Sequence, residues 1–147
     1  MHFLCAEDNE LNAEILSELL EIEGASCEIC ENGQVVVERF EQSKPGEFDM
    51  ILMDVQMPIM NGYEATKAIR SGTHPLAKTI PIIAMTANAF SEDIQNSLNA
   101  GMDAHVSKPV DMKTLIKTVH SIQSGVWGGQ NLRRNDTWLS FGQIVQK

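Results

Sequence analysis

The sequence predicts an α/β fold, an open parallel sheet with helices on both faces. Three observations lead there. Five short apolar runs, at residues 2–6, 25–30, 48–53, 80–85 and 104–106, read as strands. Each is followed by a segment whose apolar residues recur at helical spacing. Between run and helix stand Asn, Asp or Ser residues of the kind that begin helices. Alternation of this sort means parallel strands joined by right-handed crossovers.

The first run ends abruptly at Glu7-Asp8-Asn9, where Asp8 or Asn9 is placed to cap the next helix. In that helix Leu11, Ile15, Leu16, Leu19, Leu20 and Ile22 recur as one apolar face, with Glu14, Glu18, Glu21 and Glu23 mostly opposite, and Gly24 ends it. Residues 25–30 form the second strand. Asn32-Gly33 turns into a helix carrying Val36, Val37 and Phe40, and Lys44-Pro45-Gly46 stops it. Residues 48–53 are apolar enough for a central strand. The next helix is capped by Asn61, which has capping-box spacing to Glu64, and runs to about Arg70 before a loop at 71–75. The fourth strand, 80–85, ends at Thr86. Ser91 caps a helix with Glu92 and Asp93 in its first turn, which suits the helix dipole, and Gly101 closes it. After the short fifth strand and Ser107-Lys108-Pro109, Asp111 caps a last helix with Met112, Leu115, Ile116, Val119 and Ile122 on one face.

These elements occupy residues 1–123 as one domain, a size consistent with a chain of 147 residues that is 43% hydrophobic. Residues 124–147 change character. Ser124-Gly125 and Gly128-Gly129 read as a linker, and Trp138, Leu139, Phe141, Ile144 and Val145 as either one short amphipathic helix or a segment without chemistry. No apolar run is long enough to cross a bilayer. Glu7, Asp8 and Glu10 near the start argue against a signal peptide. The net charge of −9 argues against a nucleic-acid surface and suits a site that recruits a cation.

Cys5, Cys27 and Cys30 are an odd count, consistent with a reducing compartment. Cys27 and Cys30 spell C-x-x-C, but on a strand residues three apart face opposite sides and share no metal. His2, His74 and His120 read as surface or loop residues. Met50, Met53, Met57 and Met60 read as core and loop packing, because Pro58 breaks any regular ligand spacing.

The chemistry lies at strand ends. Because Asn61 is the better cap, Asp54 at the end of the third run is left without a structural task. Glu7-Asp8, Asp54, Thr86 and Lys108 all follow carboxyl ends of strands, and in a parallel sheet those ends share one edge, where ligands bind. Three carboxylates in one cleft repel one another, and a divalent cation relieves that. Mg²⁺ fits an all-oxygen set. Lys108 and Thr86 would hold phosphoryl oxygens, with Asp54 as the nucleophile that forms an acyl phosphate.

Four blocks, Ala6-Glu7-Asp8-Asn9, Met53-Asp54-Val55-Gln56-Met57-Pro58 with Asn61-Gly62, Ala84-Met85-Thr86-Ala87, and Lys108-Pro109, resemble the receiver domain of two-component response regulators. The wording around Gln56, Asn61 and Thr86 is most similar to receivers of hybrid sensor histidine kinases. The resemblance implies a flavodoxin-like (βα)5 sandwich with strand order 2-1-3-4-5. It also implies Asp54 as phosphoacceptor and Mg²⁺ held by Asp8, Asp54 and the backbone carbonyl of Gln56, with Glu7 acting largely through water. Thr86 becomes the switch hydroxyl, Lys108 the phosphoryl-binding residue, and Pro109 follows a cis peptide. His105 takes the switch position usually held by Tyr or Phe, and Gln56 and Asn88 tune loss of the phosphate. The implied partners are a sensor histidine kinase or a histidine phosphotransfer protein, plus an output partner on the face of the fourth helix, fifth strand and fifth helix. Neither nucleic-acid binding nor membrane insertion is implied, a homodimer is allowed, and the setting is cytoplasmic. The domain would assist its own phosphotransfer and dephosphorylation without being an enzyme on outside substrates.

Two other readings compete. A flavodoxin-like electron carrier needs a hydroxyl-rich phosphate loop after the first strand, where Glu7-Asp8 would repel a phosphate. An aspartyl-phosphate hydrolase usually has a second Asp two residues after the nucleophile, and that position is Gln56.

Overall fold

Ten elements alternate as the sequence predicts. The computed structural model describes residues 1–87 and 91–124, by backbone alone at 91–93 and 123–124. They are β1 (His2–Ala6), α1 (Glu10–Ile22), β2 (Ser26–Cys30), α2 (Gly33–Gln42), β3 (Met50–Asp54), α3 (Gly62–Arg70), β4 (Ile82–Thr86), α4 (Ser91–Ala100), β5 (Ala104–Ser107) and α5 (Met112–Ser124). The strands form one parallel sheet in the order β2-β1-β3-β4-β5. Among the described residues no helix is long and apolar enough to cross a membrane.

The sheet has a core on each face. Phe3, Met50, Leu52, Ile83 and Val106 meet Leu16 and Leu20 of α1 and Leu115, Val119 and Ile122 of α5. Leu4, Ile51, Met53 and Ile82 meet Val36 and Phe40 of α2 and Ala65 and Ile69 of α3. The alternation of faces along each strand is the period of two that side chains on a pleated backbone must follow. Cys27 belongs to the first core and Cys30 to the second, so the C-x-x-C residues do face apart, and all three cysteines are free.

Several boundaries move for local reasons. β3 starts at Met50 and not at 48, because Asp49 turns its carboxylate to the N–H of His2, which donates to it at 2.7 Å. It also includes Asp54. β4 starts at Ile82, since Pro81 has no N–H to place in the ladder. The caps fall on Asn9, Asn32 and Asn61, the last in a full capping box with Glu64. Ser91 is the first residue of α4 rather than its cap, and the position before it lies outside the described residues.

One apolar face is narrower than the sequence predicts. Of the six apolar residues of α1 only Leu16 and Leu20 are buried; Leu11 is 64% exposed, Ile15 47% and Ile22 77%. The sheet covers one stripe of the helix, and Ala13, Leu16 and Leu20 form it. Leu11, Ile15 and Ile22 lie on the adjoining flank.

The amino edge of the sheet is tied by polar groups. Arg70 of α3 donates to the carbonyls of Gly101 and Ala77 and, at 3.0 Å, to the carboxylate of Asp103, which also accepts the N–H of Ile82. His74 is a loop residue, as expected, but a buried one. The N–H of Leu76 donates to its Nδ1, its Nε2 lies 3.0 Å from the carbonyl of Ser43, and its ring packs 4.2 Å from that of Phe40. This geometry requires a neutral ring with the proton on Nε2, which donates to Ser43. An imidazole is inside because both of its nitrogens are satisfied there.

Removal of Asp103 takes the counter-charge from the half-buried Arg70 guanidinium and the acceptor from the buried Ile82 N–H together. Asp103→Ala is expected to cost about 2–4 kcal/mol, read as a lower urea midpoint with an unchanged slope.

Candidate functional site

Parallel register brings the strand ends level. Ala6 pairs with Met53, Asp54 with Met85 and Thr86 with Ser107, so the residues at and just after these positions line one edge. There Glu7, Asp8, Asp54, Thr86 and Lys108 border a cleft of about 260 Å³. The Lys108 ammonium bridges two carboxylates, 2.8 Å from Asp54 Oδ2 and 2.9 Å from Glu7 Oε1. Glu7 and Asp54 are almost wholly buried, whereas Asp8 is exposed at the rim.

Backbone contacts fix these groups. The Glu7 N–H donates to the Cys30 carbonyl, and the Asn9 N–H donates to Glu7 Oε2 at 3.1 Å. The Gln56 N–H donates to Asp54 Oδ1 at 3.2 Å. The Lys108 N–H donates to the Thr86 carbonyl at 2.8 Å, and the Lys108–Pro109 peptide that follows is cis. The β3–α3 loop folds back on Asp54 so closely that a Cβ on Gly62 would lie 2.3 Å from the Asp54 carbonyl oxygen. Only glycine fits this approach, and the Gly62 N–H uses it to donate to the Val55 carbonyl at 2.9 Å. At the tip of that loop Ile59 has φ +71°, a left-handed conformation that a β-branched residue rarely adopts.

Charge is unbalanced at this edge. One carboxylate oxygen each from Glu7, Asp8 and Asp54 lies within 4.8 Å of the others, against one ammonium. Burial raises the Asp54 pKa to about 6; Lys108 pulls it down and Glu7 pushes it up. Burial also disfavours the Lys108 ammonium, but its pairing with Asp54 and Glu7 outweighs this and its pKa rises. A donor set of three carboxylates short of positive charge fits a hard divalent cation.

The remaining predicted residues take different places. Gln56 is exposed beside Asp54. His105 pairs with Ala84, two residues before Thr86 on the same side of β4, and is half-buried, which lowers its pKa. Asn88 lies outside the described residues. The Lys108–Glu7 pair was not anticipated from the sequence, nor was the need for glycine at 62. The Asn61-Gly62 doublet carried a signal for the second, because a glycine opening a helix has no propensity reason to be there.

A neutral side chain at 54 removes the buried repulsion with Glu7 and leaves Lys108 its other partner. Asp54→Asn is expected to stabilise the metal-free protein by about 1–2 kcal/mol at pH 7. Asp54 has a raised folded pKa, so the wild-type carboxyl takes up a proton as pH falls through about 6 toward its ordinary value of 3.8. The advantage of the variant should shrink over that window, as urea unfolding at several pH values would show. Added Mg²⁺ should stabilise the wild type and much less the variant.

Comparison with known proteins identifies the family. The family model described as the response regulator receiver domain matches residues 3–120. The chain is 35% identical over 136 residues to a probable histidine kinase of Oryza sativa subsp. indica, covering 85% of this chain and 13% of that protein. It is 38% identical over 120 residues to a hybrid signal transduction histidine kinase of Dictyostelium discoideum, covering 80% of this chain and 7% of that protein. It thus spans a small part of these relatives. Among solved structures, the receiver domain of a Pseudomonas aeruginosa sensor histidine kinase, with magnesium coordinated in its active-site cleft, aligns at a TM-score of 0.71 and 33% identity, covering 80% of this chain and 92% of that one. The receiver domain of the Saccharomyces cerevisiae response regulator Ssk1, solved with the histidine phosphotransfer protein Ypd1, appears in a structure that aligns at 0.69 and 29% identity, covering 80% and 85%. With most of its length matched by that family model and its fold shared with these domains, the chain belongs to the response regulator receiver domain family of two-component signalling.

Proposed function

We propose that Asp54 accepts a phosphoryl group from a phosphohistidine and that the resulting acyl phosphate changes which partners the domain binds. The observation that carries this reading is the Lys108 ammonium held between Asp54 and Glu7 at 2.8 and 2.9 Å beside a further carboxylate. Glu7, Asp8, Asp54 and the backbone carbonyl of Gln56 would hold Mg²⁺, Glu7 largely through water. When bound, the ion screens the carboxylates and the incoming phosphoryl oxygens from one another.

One carboxylate oxygen of Asp54 attacks phosphorus. The new P–O bond forms as the P–N bond to the donor imidazole breaks, and the bonding pair stays on the imidazole nitrogen, which takes up a proton. Lys108 passes from the carboxylate to the phosphoryl oxygens, and Thr86 at the end of β4 turns its hydroxyl to the same group. Gln56 and Asn88 tune how fast water later removes the phosphate. Outside substrates are not turned over.

The phosphoacceptor unit runs to Ser124, where α5 ends, one residue beyond the expected boundary at 123, with 125–147 as linker and tail. A sensor histidine kinase or a histidine phosphotransfer protein is the donor, in the cytoplasm, and α4, β5 and α5 form the face read by the output partner. His105 couples that face to the site, since it lies on the same side of the sheet as Thr86 and two pairs down the β4–β5 ladder.

Intact-mass spectrometry tests the first step. A small acyl-phosphate donor with Mg²⁺ should add one phosphoryl group to the wild type and none to Asp54→Asn. A full equivalent on the variant refutes the assignment.

The switch is tested at His105. Inward rotation would desolvate the imidazole further and lower its pKa beyond the effect of burial already present. An NMR titration should then show a lower His105 pKa with a beryllofluoride mimic at Asp54 than without it. The active state should lose stability as pH falls, and His105→Tyr should abolish that dependence.

A further inference from the structure

Cys27 and Cys30 spell C-x-x-C, but the strand that carries them turns them apart and gives Cys27 a different thiol neighbour. β1 and β2 pair with Phe3 opposite Cys27 and Cys5 opposite Ile29. Cys5 and Cys27 are therefore diagonal neighbours on one face of the sheet, and both belong to the core shared with α1. Their side chains share a hydrogen bond, the Cys5 thiol donating to the Cys27 sulfur. Cys30 faces the other core, where burial and Glu28 push its thiol up to about 11 against the pull of Arg39.

The two neighbouring thiols differ in access. Cys5 is completely buried, whereas Cys27 is half-buried on β2, an edge strand bonded to β1 alone. The groups that face Cys27 are Cys5 on β1 and Ser17 and Glu21 on α1. The Cys5 thiol, helped by the Ser17 hydroxyl, holds the Cys27 pKa down to about 6, against burial and the Glu21 carboxylate, which push it up. At neutral pH the accessible member of the pair is thus a thiolate, and a protected thiol stands beside it. A dithiol needs this division to react with an oxidant and then to close on itself.

We propose that Cys27 and Cys5 form a hydroperoxide-sensitive pair, with Cys27 as the attacking thiolate and Cys5 as the resolving thiol, which closes to an intramolecular disulfide between β2 and β1. In the first step the Cys27 sulfur bonds to the hydroxyl oxygen of the hydroperoxide as the O–O bond breaks. The electron pair leaves on the other oxygen, which takes up a proton, and Cys27 becomes a sulfenic acid. In the second step the Cys5 sulfur attacks the Cys27 sulfur, the S–O bond breaks, and the hydroxyl departs as water with the proton that Cys5 gives up. Two thiols lose two electrons, and the hydroperoxide is reduced by the same two. The sulfurs start in hydrogen-bond contact and must close to about 2 Å. β2, with one neighbour in the sheet, can shift to allow this without breaking a second ladder. Neither step involves Asp54, Mg²⁺ or a phosphoryl donor.

The test uses the full chain, reduced beforehand. Dilute hydrogen peroxide at pH 7 should produce a Cys5–Cys27 disulfide, identified by peptide mass spectrometry after free thiols are blocked, with Cys30 recovered as a blocked free thiol. In Cys5→Ala the sulfenic acid should persist and be trapped at Cys27 by dimedone. Cys27→Ser should prevent both the bridge and the adduct. In the reduced wild type, alkylation of Cys27 by iodoacetamide should be half-maximal near pH 6 and several-fold faster at pH 7 than that of Cys30. The midpoint should move up toward the 8.5 or so of a free thiol in Cys5→Ala. A Cys27–Cys30 bridge, a disulfide between two copies, or oxidation that stops at the sulfenic acid in the wild type overturns the proposal. So does an alkylation midpoint that Cys5→Ala leaves unchanged, or an adduct at Cys5 that survives Cys27→Ser.

Discussion

Three carboxylates and one ammonium meet at the carboxyl edge of a parallel sheet, and the rest of the architecture serves to bring them there and to tolerate the result. Parallel register alone does the gathering: Glu7-Asp8, Asp54 and Lys108 come from strand ends separated in sequence by about half the domain, and no long-range loop is needed. The cost is electrostatic. Two of the carboxylates are almost fully buried, and Lys108 neutralises only part of their charge. Burial raises the Asp54 pKa, Glu7 adds to the rise, and the charge deficit makes the cleft attractive to a hard cation.

Tight backbone packing holds the deficit in place. Gly62 touches the Asp54 carbonyl, the Gln56 N–H restrains one carboxylate oxygen, and the Asn9 N–H restrains Glu7. Each restraint comes from within ten residues of the group it fixes, so the placing of Glu7 and Asp54 is built into the local backbone.

Most of this was legible in the sequence because it rests on short-range patterns. Asn61 with Glu64 announced a helix start and released Asp54 from capping, and the apolar runs marked the strands whose ends carry the site. What could not be read depends on relative placement. The breadth of the α1 contact is set by which stripe of the helix meets the sheet, so Leu11 and Ile15 share a periodicity with Leu16 and Leu20 yet stand outside the core. His74 looked like an ordinary loop residue, because the carbonyl of Ser43 that accepts its proton is 31 residues away in sequence. Lys108 could be assigned to the cleft, but its choice of two carboxylate partners needs three dimensions.

The ties at the opposite edge bear on mechanics. Asp49 to His2, Arg70 to Asp103 and Ile82, and His74 to Ser43 all lie at the amino ends of the strands, where they pin β1, β3, β4 and the approach to β5. The sheet is clamped like a row of reeds at its foot. At the crest, by contrast, the tie is a single ammonium: Lys108, which follows β5, reaches the carboxylates after β1 and at the end of β3.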